Sequence, residues 1–441
     1  MSALGRYFIM KGIPVAGYDR LSTNLTAKLE AEGMKIHYAD DPSLIPAEFS
    51  DPEKTLVIYT PAIPENHTEF NYFKKNKFKI YKRSAILGEI VKNGKGIAVA
   101  GTHGKTTISG MIAHILHESG IGCNAFLGGI SLNYNSNYII NPASDLYVVE
   151  ADEFDRSFLS LNPQIALITA VDADHLDIYG DHENLKNSFS LFASQIKKDG
   201  VLIIRKGTGL SKPQGIRILE YSMYEPADYY AYNIKQEKLT YCFSLHTPEG
   251  DFHNIRTGIL GRINIENSVA AFAVAREAGA DVKGIIHAIK TYRGINRRFD
   301  MKINTGKLVY IDDYAHHPEE LKAIISSVKE LFPGKPITGI FQPHLYTRTR
   351  DFASGFAKSL SLLDNVILLD IYPAREEPIK GISSELIFRE LFNKGKRIMC
   401  KKNELTGEVL RLEPEVLLSM GAGDIDQMVE PLTIILEEHF S

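Results

Sequence analysis

Residues 96–116 form the most constraining stretch of the chain: an apolar strand, GIAVA, runs into the turn GTHG, and a helix opens at Lys105. Ile108, Met111, Ile112, Ile115 and Leu116 fall on one helical face, the spacing of a helix that packs against a sheet. A strand that feeds a helix through so short a turn belongs to an α/β layer, with the helix covering the sheet. Further short apolar runs repeat the theme: DLYVVEAD (145–152), QIALITAV (164–171) and VLIIR (201–205). ENSVAAFAVAREAGA (266–280) reads as another helix, and the more polar stretch 208–258 as an antiparallel excursion.

The same alternation flanks this centre. Before it, IPVAGYD (13–19), KIHYAD (35–40), TLVIYTPA (55–62) and KFKIYKR (77–83) read as strands, with segments such as LTAKLEAEG as helices between them. The chain opens on an amphipathic helix, MSALGRYFIMKG, with no strand ahead of it. A nucleotide-binding βαβ unit places a strand and a glycine turn there, so the natural start is expected upstream. After residue 296 come KLVYIDDYAHHP, ITGIFQPH, NVILLDIYPA and EVLLSMGAGDI, strands that each end in polar residues, where open parallel sheets gather ligands. At 441 residues the chain exceeds one hydrophobic core, and about 150 residues per domain implies three. The boundaries fall at 1–95, 96–296 and 297–441.

Composition removes several functions. A net charge of −4 with both signs interspersed excludes a generic nucleic-acid binder. Cys123, Cys242 and Cys400 stand far apart with no CxxC spacing, which gives neither a disulfide framework nor a zinc site. The sequence has no signal-peptide core and no apolar run of about 18 residues, so a soluble cytoplasmic protein is expected.

The turn at 101–107, Gly101-Thr102-His103-Gly104-Lys105-Thr106-Thr107, carries chemistry. Glycines let backbone N–H groups close on phosphate, and the helix N-terminus adds a favourable dipole. Lys105 is placed to neutralise the β- and γ-phosphates and Thr106 to bind Mg2+. Val99 stands where the common loop has its first glycine, so this is a shortened variant. Glu150, Asp152, Glu153 and Asp155 follow one strand, and Asp172, Asp174, His175 and Asp177 follow the next. Asp155 and Asp177 read as solvated loop carboxylates, whereas Glu150 and His175 converge on the sheet edge of Lys105 as metal ligands.

AGTHGKTT, VVEADEFDRSF, DADHLDIYG, GRINIENSVAA, NRRFD, IDDYAHHP, QPHLYTRTRDF, DIYPAREEP and MGAGDI occur together in this order. Across nearly the whole chain they resemble the Mur ligase superfamily, and within it the alanine-adding members. That resemblance implies a Rossmann-like N-terminal domain for UDP, a central ATPase domain and a Rossmann-like C-terminal domain for the amino acid. It also implies a reaction: ATP phosphorylates the lactyl carboxylate of UDP-N-acetylmuramate, and L-alanine captures the acyl phosphate as an amide. The implied cofactors are ATP and Mg2+.

By the same resemblance Lys105 and Thr106 hold the triphosphate and its metal, with Glu150 and His175 at the magnesium site. Asn264 and Asn267 flank adenine. Arg298 and Asp313 form an arm that reaches ATP, His316 lies near the incoming amine, and Tyr314 and Arg348 belong to the alanine pocket. Asp19, Thr60, Arg83 and Ser84 are candidates around the UDP group. His316 adjoins His317, and either could instead open a helix. The family's GIGGIG turn is absent ahead of MSAL, Leu345 stands where arginine is frequent, and Ile263 replaces a frequent histidine. A murein-peptide ligase acting on a recycled tripeptide is the nearest alternative, and a non-catalytic nucleotide-binding protein another. A monomer or weak homodimer is expected.

Overall fold

The computed structural model describes residues 1–61, 63–172, 176–374 and 376–440, with backbone alone at Asp155, Leu176 and Asp177. The chain forms two compact units: residues 1–234, 243–257 and 265–293 make the first, and 235–242, 258–264 and 294–441 the second.

The first unit is built on a ten-stranded sheet whose middle is the strand Lys95–Ala100. It pairs in parallel with Leu146–Ala151 on one side and Ile165–Ile168 on the other. Ile97, Ala98, Val99 and Ala100 are fully buried. A central parallel strand is covered on both faces, which explains the unbroken apolar run. Asn124–Ser131 and Ser136–Ile139 extend the sheet beyond Leu146–Ala151, the last strand antiparallel. Val201–Arg205 and then Arg217–Ser222 extend it the other way, both parallel.

That last pairing corrects the expectation of an antiparallel excursion over the whole of 208–258. The residues 206–216 are long enough to carry the chain back to the starting edge, so Arg217–Ser222 enters parallel. The hairpin character begins later, where Tyr229–Glu237 and Thr240–Thr247 are separated only by Lys238 and Leu239. A two-residue connection requires antiparallel strands.

Residues 1–95 carry the anticipated strands in shortened form. Ala16–Tyr18 pairs in parallel with Lys35–His37, and Leu56–Tyr59 with Lys79–Lys82. In a doubly wound order 3-2-1-4-5 these pairs correspond to 3-2 and 4-5, and no described strand takes the middle place. The opening helix, Ser2–Met10, buries Leu4 and Arg6. The Arg6 guanidinium bonds Glu32 at 2.7 and 2.8 Å and the Asn137 side chain at 2.7 Å.

The helix Arg83–Lys92 contributes Leu87 and Val91 to the same core as Ala98, Val149, Phe158 and Phe189. Gly88, on this helix, lies against the Ser160 carbonyl so closely that a Cβ would overlap it. Each fully buried aliphatic or aromatic side chain stabilises by roughly 1.5–3 kcal/mol, which makes this shared core the main tie between residues 1–95 and the central sheet.

The second unit has a six-stranded sheet ordered Asp300–Asn304, Val309–Asp313, Val416–Met420, Ile337–Phe341, Asn365–Leu368, Arg397–Met399. Only the first pair is antiparallel. Val416–Met420 is buried throughout, as a central parallel strand requires. Tyr310, Ile340, Ile367, Leu417, Leu432 and Leu436 form its core on one face. Among the described residues no helix is long and apolar enough to cross a membrane.

Candidate active site

The phosphate loop begins where the buried strand Lys95–Ala100 ends. Gly101 has φ +124° and Gly104 φ +81°, backbone states that side-chain-bearing residues rarely adopt. A Cβ at Gly101 would overlap Thr169 Oγ1, so both conformation and space demand glycine there. Thr169 holds the loop from the neighbouring strand, donating its hydroxyl to the His103 carbonyl at 2.5 Å. The Thr102 N–H donates to the Ala170 carbonyl at 2.9 Å, and the His103 ring lies 3.3 Å from Asp172. The helix Lys105–Glu118 then starts with no side-chain cap, leaving its first N–H groups to a ligand.

Lys105 lies along this loop with its ammonium fully engaged. Nζ donates to the Gly101 carbonyl and to both carboxylate oxygens of Glu153, each at 2.8 Å. Burial alone would lower the Lys105 pKa, but the carboxylates of Glu153, Asp152 and Glu150 outweigh it and keep the ammonium charged. Glu153 has no solvent exposure, and burial raises its carboxyl against the pull of Lys105. Tyr179 donates its hydroxyl to the Glu153 carbonyl at 2.6 Å, which fixes the backbone there.

Thr106 and Glu150 come together: the hydroxyl donates to Glu150 Oε2 at 3.1 Å, and the Gly128 N–H donates to Oε1 at 2.6 Å. One hydroxyl and one carboxylate side by side are the hard oxygen donors Mg2+ accepts, and this ion usually takes only one or two carboxylates besides water and phosphate. The residues present therefore fit the metal. His175, the third expected ligand, lies outside the described residues. Asn267 Oδ1 lies 3.2 Å from where a Gly104 Cβ would stand, so its carboxamide borders the loop. Asn264 is likewise buried and donates to the Leu260 carbonyl. Thr107 accepts the Tyr292 hydroxyl on its carbonyl at 3.1 Å.

Of the UDP candidates, Arg83 and Ser84 open the helix Arg83–Lys92, again with no side-chain cap. Asp19 accepts the Leu21 N–H at 3.3 Å in a local turn. Thr60 accepts the Ile63 N–H on its carbonyl, in a turn.

In the second unit the remaining candidates share one edge of the sheet. The Arg298 guanidinium lies 4.9 Å from the Tyr314 ring centroid, a cation–π distance. Tyr314 meets the His316 ring at 5.3 Å, His316 meets His344 at 6.2 Å, and His344 stacks on Tyr372 at 5.9 Å. Arg348 reaches His344 Nδ1 at 3.4 Å. Asp313 accepts the Phe299 and Ala315 N–H groups at 2.8 Å each. Desolvation nevertheless raises its carboxyl to about 6, against Arg298. The two histidines separate cleanly. His317 is the N-cap of the helix Pro318–Leu331, whereas His316 stands outside it facing Tyr314 and His344. Burial, then Arg348 and Arg298, lower the His316 pKa over the opposing pull of Glu320.

Thr169 and His344 were not among the residues singled out from sequence, and Glu153 was named there only as one of four carboxylates after a strand. His344 ends a strand in QPH, a position that was itself a signal. Glu153 sits among neighbouring carboxylates, and only the fold selects it.

Three family models cover the chain: the Mur ligase family catalytic domain matches residues 1–95, the Mur ligase middle domain 99–275, and the Mur ligase glutamate ligase domain 297–423. A UDP-N-acetylmuramate–L-alanine ligase from Parabacteroides distasonis is 51% identical over 99% of this chain and 95% of its own length. One from Phocaeicola vulgatus is 50% identical over 99% and 96%. Among solved structures, UDP-N-acetylmuramate-alanine ligase from Thermotoga maritima superposes with a TM-score of 0.83 at 24% identity, covering 100% of this chain and 96% of its own. A murein peptide ligase from Psychrobacter arcticus reaches 0.72 at 20%, covering 98% and 96%. With its phosphate loop, its paired Thr106 and Glu150 and all three domain models in place, the chain belongs to the Mur ligase family.

Proposed function

We propose that the chain joins L-alanine to the carboxylate of UDP-N-acetylmuramate at the expense of ATP, a step of peptidoglycan precursor synthesis. The observation that carries this reading is the loop 101–107, with Lys105 charged and Thr106 beside Glu150, in a chain half identical to alanine ligases. A free carboxylate is a poor electrophile, so its oxygen first takes the γ-phosphoryl group and ADP leaves. The amine of alanine then attacks the acyl carbon, the amide forms, and phosphate departs.

Each step has residues suited to it. The N–H groups at the start of the helix Lys105–Glu118 and the Lys105 ammonium bind and orient the β- and γ-phosphates, offsetting charge that grows during transfer. Thr106, Glu150 and His175 would hold Mg2+, which supplies further neutralisation on the phosphate oxygens. Arg298 adds a cation at the triphosphate, and Asp313 holds the turn behind it through the Phe299 N–H. His316, kept neutral by its surroundings, is fit to accept the proton the amine must lose. Arg348, next to His344, is suited to pair with the alanine carboxylate, and Tyr314 to line the same pocket. Asp19, Thr60, Arg83 and Ser84 face UDP, and Asn264 and Asn267 the adenine.

Phosphate release from ATP tests the reading directly. It should require UDP-N-acetylmuramate and L-alanine together and disappear in Lys105→Ala. Release without either substrate would point to a nucleotide-driven regulator. Turnover of a tripeptide in place of alanine would point to peptide recycling.

A further inference from the structure

The NRRFD turn carries two arginines in a row; both border the Tyr314 ring, and Arg297 is in addition bonded into the sheet. Arg297 points inward. Its Nε donates to Asp312 Oδ2 at 2.8 Å and its NH2 to the Gly421 carbonyl at 2.8 Å. Asp312 is fully buried and takes a second hydrogen bond from Ser419 Oγ at 2.6 Å. Ser419 in turn meets the Tyr310 hydroxyl at 3.1 Å. Two of the Arg297 donors, on different nitrogens, are thus tied to the interior of the sheet.

The backbone on either side of Arg298 is strained. Arg297 has φ +62° and Phe299 φ +50°, left-handed values that side-chain-bearing residues rarely adopt. Such conformations persist only where surrounding contacts over-determine them. Here those contacts are identifiable. The Arg297 side chain is bonded as above, the Arg297 carbonyl accepts the Tyr314 N–H at 2.8 Å, and the Phe299 N–H is held by Asp313. The Phe299 ring packs 3.3 Å from the Cβ position of Gly261. Between these anchors the half-buried Arg298 rests on the Tyr314 ring at 4.9 Å, with Arg297 behind it at 5.6 Å.

We propose that Arg297 is a positioning residue for the ligase reaction: its buried bonds to Asp312 and the Gly421 carbonyl hold the strained turn that aims Arg298. The proposal rests on Arg298 being the cation that serves ATP. Arg297 touches no reacting atom and acts through its neighbour alone.

Arg297→Lys is the natural probe, because lysine keeps the charge but cannot bond Asp312 and the carbonyl together in the fork geometry of a guanidinium. The full-length enzyme is assayed as wild type, Arg297→Lys, Arg298→Ala and the double variant, with kcat, the KM for ATP and the melting temperature read for each. The expected result is a fall in kcat of about tenfold for Arg297→Lys. In the Arg298→Ala background the same substitution should change kcat by less than about twofold, because the residue it serves is gone. A merely structural role would lower activity by the same factor in both backgrounds. Multiplying losses, or an unchanged kcat in Arg297→Lys, overturns the positioning role and leaves the reading of Arg298 standing. An unchanged kcat in Arg298→Ala overturns both. If Arg297→Lys folds poorly, Ser419→Ala runs the same cycle, since it removes the second bond on Asp312, together with the contact to the Tyr310 hydroxyl, and leaves the charges in place.

Discussion

An ammonium group has three protons, and at Lys105 all three are spoken for in the described structure. A phosphate oxygen can bond Nζ only by displacing Glu153 or the Gly101 carbonyl, so Glu153 competes with the nucleotide for the residue that binds it. Glu153→Gln keeps the shape and removes the charge. ADP should then bind about tenfold more tightly by calorimetry, which is roughly 1.4 kcal/mol and the scale of one charge-assisted hydrogen bond. Weaker binding in that variant would show that Glu153 supports the loop. The pH profile tests His316. As a base it works neutral, and burial with Arg348 and Arg298 holds its pKa below 6.5. Activity should stay level as pH falls to that value and decline only below it. Glu320→Gln, removing the larger of the two influences that pull the pKa up (the other is the Tyr314 carbonyl), should move the decline to lower pH still; a decline at or above 6.5 in wild type contradicts the assignment. The sequence made Lys105 legible because phosphate loops need glycine at fixed places and lysine after the last. It gave Arg297 no role beside Arg298 and did not separate Glu153 from Asp152, because neighbours of like chemistry differ only in which way the finished backbone turns them.

The helix Lys105–Glu118 is anchored at its far end by an uncharged histidine. His114 is buried, its Nδ1 2.8 Å from the Tyr134 hydroxyl and its Nε2 3.0 Å from Thr291 Oγ1, the last residue of the helix Val282–Thr291. Burial chiefly, with His117 and His287, lowers its pKa from 6.5 to about 4 despite Glu118. The unfolded chain therefore takes up a proton at a higher pH than the native one does. Stability is fully present above 6.5 and lost as pH falls towards 4, by roughly 3 kcal/mol at one pKa unit per 1.36 kcal/mol. Denaturant melts between pH 7 and 4 should show this loss, and His114→Gln should flatten that part of the curve. An equal slope in both proteins would assign the loss to other groups. The helix itself was plain from the spacing of Ile108 to Leu116. The polar clamp was not, because a lone histidine on an apolar face carries no mark of its partners, here 20 and 177 residues away. The parallel entry of Arg217–Ser222 escaped for a related reason: strand direction depends on the connection, and periodicity is blind to it.

At the scale of the molecule, the phosphate loop and its carboxylates belong to the first unit alone. Chains of several domains commonly unfold in more than one step. ADP at about a hundred times its dissociation constant should stabilise whichever unit binds it by about 2.7 kcal/mol. Calorimetric scans should therefore show one transition moving upward with ADP and the other fixed; a uniform shift of both would mean they melt as one. The doubly wound plan of each sheet was readable from strand ends and helix faces. One contact described above has a consequence at this scale. At Gly88 there is no side chain between the helix Arg83–Lys92 and the backbone of Ser160, the last residue of the turn Phe154–Ser160 that begins one residue after Glu153. Side chains yield by rotating; two backbones in contact do not. The helix that opens with Arg83 and Ser84 thus leans on the segment behind the Lys105 carboxylate as a rigid strut, and a push on one is felt by the other without slack.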